Sequence, residues 1–528
     1  MIQKEPSNFL LPLDLLRDYK EKPVGVDFEE SKKIIEKEFE SAGVGVIYTS
    51  FDVAPRVSVF KYIIFENYEN YKQKDFTNNL SLALKSYPVR VSLFSGLEKY
   101  IVIEIPNKKK ALVGLKDALE DCVFDELTGK VGLPIGRDDN MSNDVVDIRQ
   151  RGNIIIGGAT NSGKSNFFHT VIASLLFQCK PEELGLILID PKRVELYTYK
   201  GLQHLKFPVM VNAEEARKAF DWCMEEIDRR FDILQAKGIS NIANYNLFAE
   251  EKWPCYIIMI DEFSDLMVAD HDYFLKQITR IASMGGAVGF NIILGTSRPD
   301  PKQIMPKEMV AEFLVQISFS TASEQDSITI LGESGGEKLL GQGDMLCKQS
   351  EIDIKLPKGK KIVAGDKVKI EKIENTPWRF QGFFISENEI EKIIEAVKAG
   401  NYIDRKELSE VNKDLFDKAE VLAKKNRELR AADLNDKLSI DHVTACRLID
   451  YLLNMGIIDY THSCKAKKLP DNITDEEKLA IVKKILYEER CYSPSAVQRR
   501  INITYSEAEK LVNIIQKQDG VTGFNIED

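Results

Sequence analysis

No apolar run in the 528 residues approaches the ~18–20 needed to cross a bilayer, and Met1-Ile2-Gln3-Lys4-Glu5 does not open a signal peptide. A membrane-bound role is therefore not expected. The eight cysteines (Cys122, Cys179, Cys223, Cys255, Cys347, Cys446, Cys464 and Cys491) are scattered, with no C-x-x-C pair and no histidine cluster nearby. That spacing excludes a disulfide framework or a zinc site as an expectation and points to a reducing, cytoplasmic compartment. Positive charge is also in deficit: 72 Lys and Arg against 83 Asp and Glu leave a net charge of −11. Indiscriminate nucleic-acid binding is disfavoured, although a local basic channel is compatible with an acidic total. The remaining composition, 44% hydrophobic and 29% charged, is that of an ordinary globular chain with length for roughly three or four domains.

The most specific stretch is Gly157-Gly158-Ala159-Thr160-Asn161-Ser162-Gly163-Lys164-Ser165, followed by Asn166. It follows the apolar run Ile154–Ile156 and opens a helical pattern from Asn166 to Phe177, the strand–turn–helix context of a P-loop. Glycines let backbone N–H groups curl around phosphate oxygens, and the helix N-terminus adds positive potential. The spacing assigns residues 158–166 to binding a nucleoside triphosphate, Lys164 to neutralising its β/γ-phosphates and Ser165 to Mg²⁺. Farther along, the apolar run Tyr256–Ile260 ends in Asp261-Glu262. A buried strand ending this way delivers two carboxylates beside the phosphate loop. Asp261 would hold Mg²⁺ through water, and Glu262 would orient or deprotonate the attacking water.

The organisation around this site is alternating. Phe28–Ala42 and Thr77–Ser86 read as helices, and Val57–Phe65 and Tyr100–Ile105 as strands, giving a small α+β domain over 1–125. From 126 to 405, the short apolar runs Ile154–Ile156, Leu186–Ile189, Tyr256–Ile260 and Asn291–Leu294 alternate with helices and predict a parallel sheet buried on both faces. Lys355–Lys372 alternates and is lysine-rich: a solvated hairpin or a DNA-facing loop. Glu387–Ala399 reads as a helix. The tail repeats one pattern twice, helix, short helix, turn, helix and hairpin, over 412–465 and 472–528; that order is the winged-helix form of helix-turn-helix.

Several longer stretches resemble the FtsK/SpoIIIE family of double-stranded DNA translocases. They include Asp190–Leu196, Tyr199–Leu205, Gly238–Ile242 with Tyr245-Asn246, Glu337–Leu346, Leu11–Leu16 and Glu104–Lys108. The resemblance implies an α/β fold: a RecA-like P-loop motor core with a parallel sheet, preceded by the small α+β accessory domain and followed by tandem winged-helix domains. It implies an ATPase using ATP and Mg²⁺, assembling as a ring, hexameric in the family, that pumps duplex DNA. Division-linked relatives carry N-terminal membrane helices and a linker; this sequence starts almost directly at the accessory domain, so membrane anchoring is not expected from it.

The sequence also departs from the family. Gln316 and Ile328 stand where the family places arginines, so neither can act as the arginine that reaches across a subunit boundary to stabilise the transferring phosphoryl group. Arg280 and Arg298 are the candidate substitutes. Ser297, in Thr296-Ser297-Arg298-Pro299, replaces a glutamine that would sense the γ-phosphate. In the tail, Val443-Thr444 and Ser506-Glu507 replace the base-reading Asn-Arg pair. Arg447, Arg499 and Arg500 remain as candidate phosphate contacts, the alternative being ordinary surface arginines; a protein partner for the second winged helix is an equal alternative to DNA. Two functions stay open: a soluble, ATP-driven duplex-DNA translocase, or an ATP-binding DNA-associated scaffold whose oligomeric state is set by nucleotide.

Overall fold

The computed structural model of the protein describes residues 9–19, 21–66, 73–95, 99–120, 131–139, 141–148, 152–349, 377–402 and 413–425, with isolated positions up to 482. They fall into two compact units, 1–356 with 360–406, and 357–359 with 407–528.

In the first unit, β1 (Gly45–Val53), β2 (Val57–Glu66), β3 (Arg90–Ser95) and β4 (Lys99–Pro106) form an antiparallel sheet of order β1-β2-β4-β3. The helix Phe28–Ser41 starts where the Asp27 carboxylate accepts from Glu30 N at 2.9 Å, and it buries Ile35 and Phe39. Phe39 stacks at 4.5 Å between ring centroids on Phe76 of the helix Gln73–Ala83, and both cover Tyr62, Ile101 and Ile103 of the sheet. The expected helix over 77–86 thus begins four residues earlier. β1 and β3 escape the sequence reading because they are the edges of the sheet. Half-exposed edge strands mix Thr49, Asp52, Arg90 and Ser92 into their pattern and present no apolar run.

The larger sheet holds β5 (Gly132–Asp138), β6 (Asn143–Asp147), β7 (Ile154–Gly157), β8 (Leu184–Ile189), β9 (Cys255–Ile260), β10 (Phe290–Thr296), β11 (Val315–Phe319), β12 (Asp344–Gln349) and β13 (Trp378–Gly382). Their order is β6-β5-β13-β12-β11-β7-β10-β9-β8. The predicted parallel sheet is right for β8-β9-β10-β7-β11. It is wrong for the other side, where β12, β13, β5 and β6 run antiparallel. The parallel strands are apolar and buried along nearly their whole length, whereas Arg137, Asn143, Asp344, Arg379 and Gln381 break the apolar runs of the antiparallel ones.

β7 lies between β10 and β11, both reached only after the chain has crossed to the β8 edge and back. Such an arrangement opens a crevice at the carboxyl ends of the parallel strands. The helix Lys164–Gln178 leaves that crevice and is buried on nearly every side, from Phe167 and Phe168 to Phe177. Its far end is tied to β5 by a side-chain amide pair: Gly132 N donates to Gln178 Oε1 at 2.8 Å and Gln178 Nε2 to Gly132 O at 2.7 Å. The helix Glu387–Lys398 follows the predicted bounds to within one residue.

In the second unit the helix Lys413–Lys425 buries Phe416, Ala419 and Ala423 on one face. The expected Lys355–Lys372 hairpin, Arg447, Arg499, Arg500, most of the 412–465 repeat beyond this helix and, apart from position 482, the 472–528 repeat lie outside the described residues. Among the described residues, no helix is long and apolar enough to cross a membrane.

Candidate nucleotide-binding site

The loop from Gly158 to Gly163 turns at the end of β7 through positive φ at Gly158 (+153°), Asn161 (+61°) and Gly163 (+123°). It is pinned to its neighbours by backbone bonds: Gly158 N donates to Thr296 O at 3.3 Å, at the end of β10, and Ala159 N to Ser320 O at 2.7 Å, after β11. A Cβ on Gly163 would lie 2.4 Å from Gly343 N, so only glycine fits there. The Lys164 ammonium folds into the loop and donates to Gly158 O at 2.6 Å and Ala159 O at 3.0 Å. Its burial pulls its pKa down, while Glu262 and Asp261 pull the other way. Thr160 and Asn161 are exposed at the rim; the Ser162 hydroxyl is buried with no hydrogen-bond partner among the described residues. The Asn166 side chain grips the backbone of Ile385, donating to its carbonyl at 2.6 Å and accepting from its N–H at 3.3 Å.

The two carboxylates after β9 have opposite environments. Asp261 is buried beside Glu195, Asp190 and Glu262, and that burial and like charge push its carboxyl up to about 6. Burial alone would raise Glu262 as well, but hydrogen bonds win and bring it down to about 2. Its Oε1 accepts from Ser264 Oγ (2.7 Å), Thr296 Oγ1 (2.7 Å) and Ser297 N (2.9 Å). Its Oε2 accepts from Lys192 Nζ (2.9 Å), Ser297 Oγ (2.5 Å) and Ser297 N (3.1 Å). Both oxygens are saturated.

Sequence reasoning missed Lys192, Glu195 and Ser264 as parts of the site, and read Ser297 only as a lost glutamine. The Glu195 carboxyl is held below its ordinary value, first by its hydrogen bond with His169, with the neighbouring Ser165 hydroxyl acting in the same direction. Glu195 Oε2 lies 3.4 Å from His169 Nε2, and His169 Nδ1 lies 2.9 Å from the buried Tyr199 hydroxyl. Lys192 and Glu195 both sit in the Asp190–Leu196 motif, so the signal was on the page as a resemblance but not as chemistry.

A cavity of about 340 Å³ opens beside the loop, lined by Gly158, Ala159, Thr160, Lys192, Arg298 and Asp326 among others. Of the two candidate substitute arginines, Arg298 thus faces the chain's own site, whereas Arg280 pairs with Asp228 at 2.5 Å on the surface. The Gln316 amide donates to Val310 O (3.3 Å) and Phe313 O (3.4 Å), and Ile328 is 39% exposed.

Residues 115–301 match the FtsK/SpoIIIE family model. The chain is 30% identical over 492 residues to DNA translocase SpoIIIE of Bacillus subtilis, covering 88% of this chain and 59% of that one. It is 31% identical over 421 residues to DNA translocase FtsK of Borreliella burgdorferi, covering 75% of this chain and 50% of that one. It therefore spans between half and three-fifths of the length of these relatives. Among solved structures, it resembles the pCW3 conjugation coupling protein TcpA in its monomer form with ATPγS, at 20% identity and a TM-score of 0.45, over 69% of this chain and 99% of that one. Residues 115–301 are thus similar to the FtsK/SpoIIIE family, and similarity to proteins named DNA translocases continues through most of the chain on either side.

Proposed function

We propose that this protein is an ATP-hydrolysing motor that translocates double-stranded DNA as an oligomeric ring in the cytoplasm. The observation that carries this reading is the convergence of the phosphate loop, Asp261 and Glu262 on one sheet edge, in a chain similar to proteins named DNA translocases. In this reading the backbone N–H groups from Gly158 to Ser165 cradle the phosphates. Lys164 exchanges the carbonyls of Gly158 and Ala159 for phosphate oxygens. Asn166 fixes the first helical turn against Ile385.

The donors fit Mg²⁺. The Ser165 hydroxyl and the Asp261 carboxylate are hard oxygen ligands; burial first, and crowding by other carboxylates second, lift Asp261 to about 6, and a divalent cation would relieve that crowding. When bound, the cation neutralises charge on the transferring phosphoryl group. Glu262 orients the attacking water, for which it must first let go of some of its donors. The RecA-like core over 126–405, the accessory domain over 1–125 and the winged-helix domains over 412–465 and 472–528 belong to the same proposal. So do Arg447, Arg499 and Arg500 as DNA-phosphate contacts.

Two observations favour a second reading, an ATP-bound scaffold or switch with little translocation. Glu262 has no free lone-pair direction while six donor contacts hold it. Neither Gln316 nor Ile328 can supply a guanidinium to a neighbouring subunit. ATP turnover measured with and without long linear duplex DNA, across protein concentrations that span assembly, separates the two. Turnover that rises cooperatively with concentration and is strongly stimulated by DNA is the expected result. Slow turnover indifferent to DNA would replace the motor by the switch.

A further inference from the structure

The Glu337–Leu346 stretch matched the family by pattern, yet nothing in the nucleotide chemistry uses it directly. Its turn Leu340–Asp344 has an unusual backbone: Gly341, Gln342 and Gly343 all have positive φ, at +70°, +52° and +90°. The two glycines adopt such φ without penalty, but Gln342 between them does not, and its conformation is costly unless the surroundings hold it. Here the turn is held from three sides. From the larger sheet, Gly382 N donates to Gly343 O at 2.7 Å and Gln381 Nε2 to Gln342 O at 3.2 Å. Within the turn, the Asp344 carboxylate accepts from Leu340 N at 2.6 Å and is clamped by both arms of Arg379 at 2.8 and 2.5 Å. From the four-stranded sheet, Arg56 Nη2 donates to Gly341 O at 3.2 Å.

The tip of this turn is the back wall of the phosphate loop. Gly343 N donates to Ser162 O at 2.9 Å, and Gly343 lies so close to Gly163 that no Cβ fits between them. The N–H that Gly343 donates fixes the Ser162 carbonyl and so the plane of the Ser162–Gly163 peptide, and with it the direction in which the next N–H groups of the loop point.

Arg56 is the distant end of the path. It sits on the tight turn between β1 and β2, closed by Ala54 N donating to Val57 O at 2.9 Å, and is only 4% exposed. Burial lowers its pKa, and its Nε is buried with no hydrogen-bond partner among the described residues. A buried guanidinium so sparsely satisfied is a poor source of stability. Its one side-chain hydrogen bond among the described residues goes to the turn that backs the phosphate loop.

We infer that Arg56 is a positioning residue for the nucleotide site, acting on the phosphate loop from the four-stranded sheet through the Leu340–Asp344 turn. The inference rests on the nucleotide-binding reading above. It makes the accessory sheet a part of the site: whatever shifts the β1–β2 turn shifts Gly341, then Gly343, then Ser162. Because coupling is reciprocal, nucleotide must also steady the β1–β2 turn.

The test is a titration of the full chain with a fluorescent ATP analogue and Mg²⁺, comparing Arg56→Met, Arg56→Lys, Lys164→Ala and the unaltered protein. Arg56→Met is expected to weaken binding about tenfold, and Arg56→Lys, which keeps a donor within reach of Gly341, to recover most of it. A merely structural arginine would not be rescued in this way. Equal affinity in Arg56→Met and the unaltered protein would overturn the inference. If Arg56→Met does not fold, hydrogen exchange on the unaltered chain decides. Slower exchange over residues 54–57 and 340–344 on adding the analogue supports the inference, and unchanged exchange at 54–57 overturns it. An unaltered protein that binds no better than Lys164→Ala would overturn the nucleotide reading itself, and the inference with it.

Discussion

Glu262 concentrates the residue-scale question, because a carboxylate held at about 2 by its hydrogen bonds is well stocked with donors and a weak acceptor of another proton. Glu262→Gln keeps an acceptor for Ser264 and Thr296 but turns an amide toward Lys192 and Ser297. Turnover is expected to fall about 10²–10⁴-fold while nucleotide still binds, measured by single-turnover hydrolysis beside analogue binding. A different residue governs acid stability. His204 is 1% exposed; burial pushes its pKa below the ordinary 6.5, its Nε2 lies 2.9 Å from Cys179 O and its Nδ1 has no partner. Below pH 6.5 the unfolded chain binds a proton that the folded chain refuses, so stability should rise with pH up to about 6.5 and then level off as far as this group is concerned. Denaturant melts of His204→Gln and the parent from pH 5 to 7.5 should show the slope reduced in the variant; an unchanged slope would remove His204 from the account. The P-loop was legible at this scale because its glycines, Lys164 and Ser165 are neighbours in sequence. Lys192 and Ser297 were not, because they reach Glu262 across 70 and 35 positions, and only the fold makes those contacts local.

At the scale of elements, legibility followed burial. β7, β8, β9 and β10 are covered on both faces and read as unbroken apolar runs, so both their existence and their place beside the loop could be taken from sequence. The antiparallel strands carry Asp344, Arg379 and Gln381 as buried polar side chains whose partners come from neighbouring strands, turns and the other sheet, and no periodicity announces such a strand. The helix Lys164–Gln178 was legible for the same reason as β7. Phe168, wholly buried, lies over Gly295 of β10, where a Cβ would come within 2.7 Å of the ring. Phe168→Ala should cost about 3–5 kcal/mol of stability by opening a cavity beneath the phosphate loop, read from chemical denaturation.

For the molecule as a whole, the two sheets of the first unit meet through buried charge rather than apolar surface alone. Glu104, on β4, accepts from Arg90 at 2.8 Å and from Arg379 of β13 at 3.2 Å, while Arg379 also clamps Asp344. Burial would raise the Glu104 carboxyl, but the two guanidinium groups hold it below its usual range. Glu104→Ala leaves Arg90 without its Glu104 partner and Arg379 with Asp344 alone, so it should cost about 3–5 kcal/mol. An exposed pair such as Lys218 with Glu214, screened by water on every side, should contribute far less. Equal small losses for both in denaturant melts would mean that the network is wetter than its geometry. No sequence pattern predicted this junction, since its members come from four strands and pair only after both sheets exist.

The helix that follows the phosphate loop has one more consequence. With nearly every residue buried and its last turn bolted to Gly132, it has no free face along which to slide. A nucleotide bound as proposed would therefore meet a fixed anvil, not a spring. Any stroke has to be taken up on the opposite lip of the crevice, where half-exposed Lys192 and the Ser297–Pro299 segment border the cavity. Work done by this fold would leave through the ends of β8 and β10, while β7 and its helix stay still.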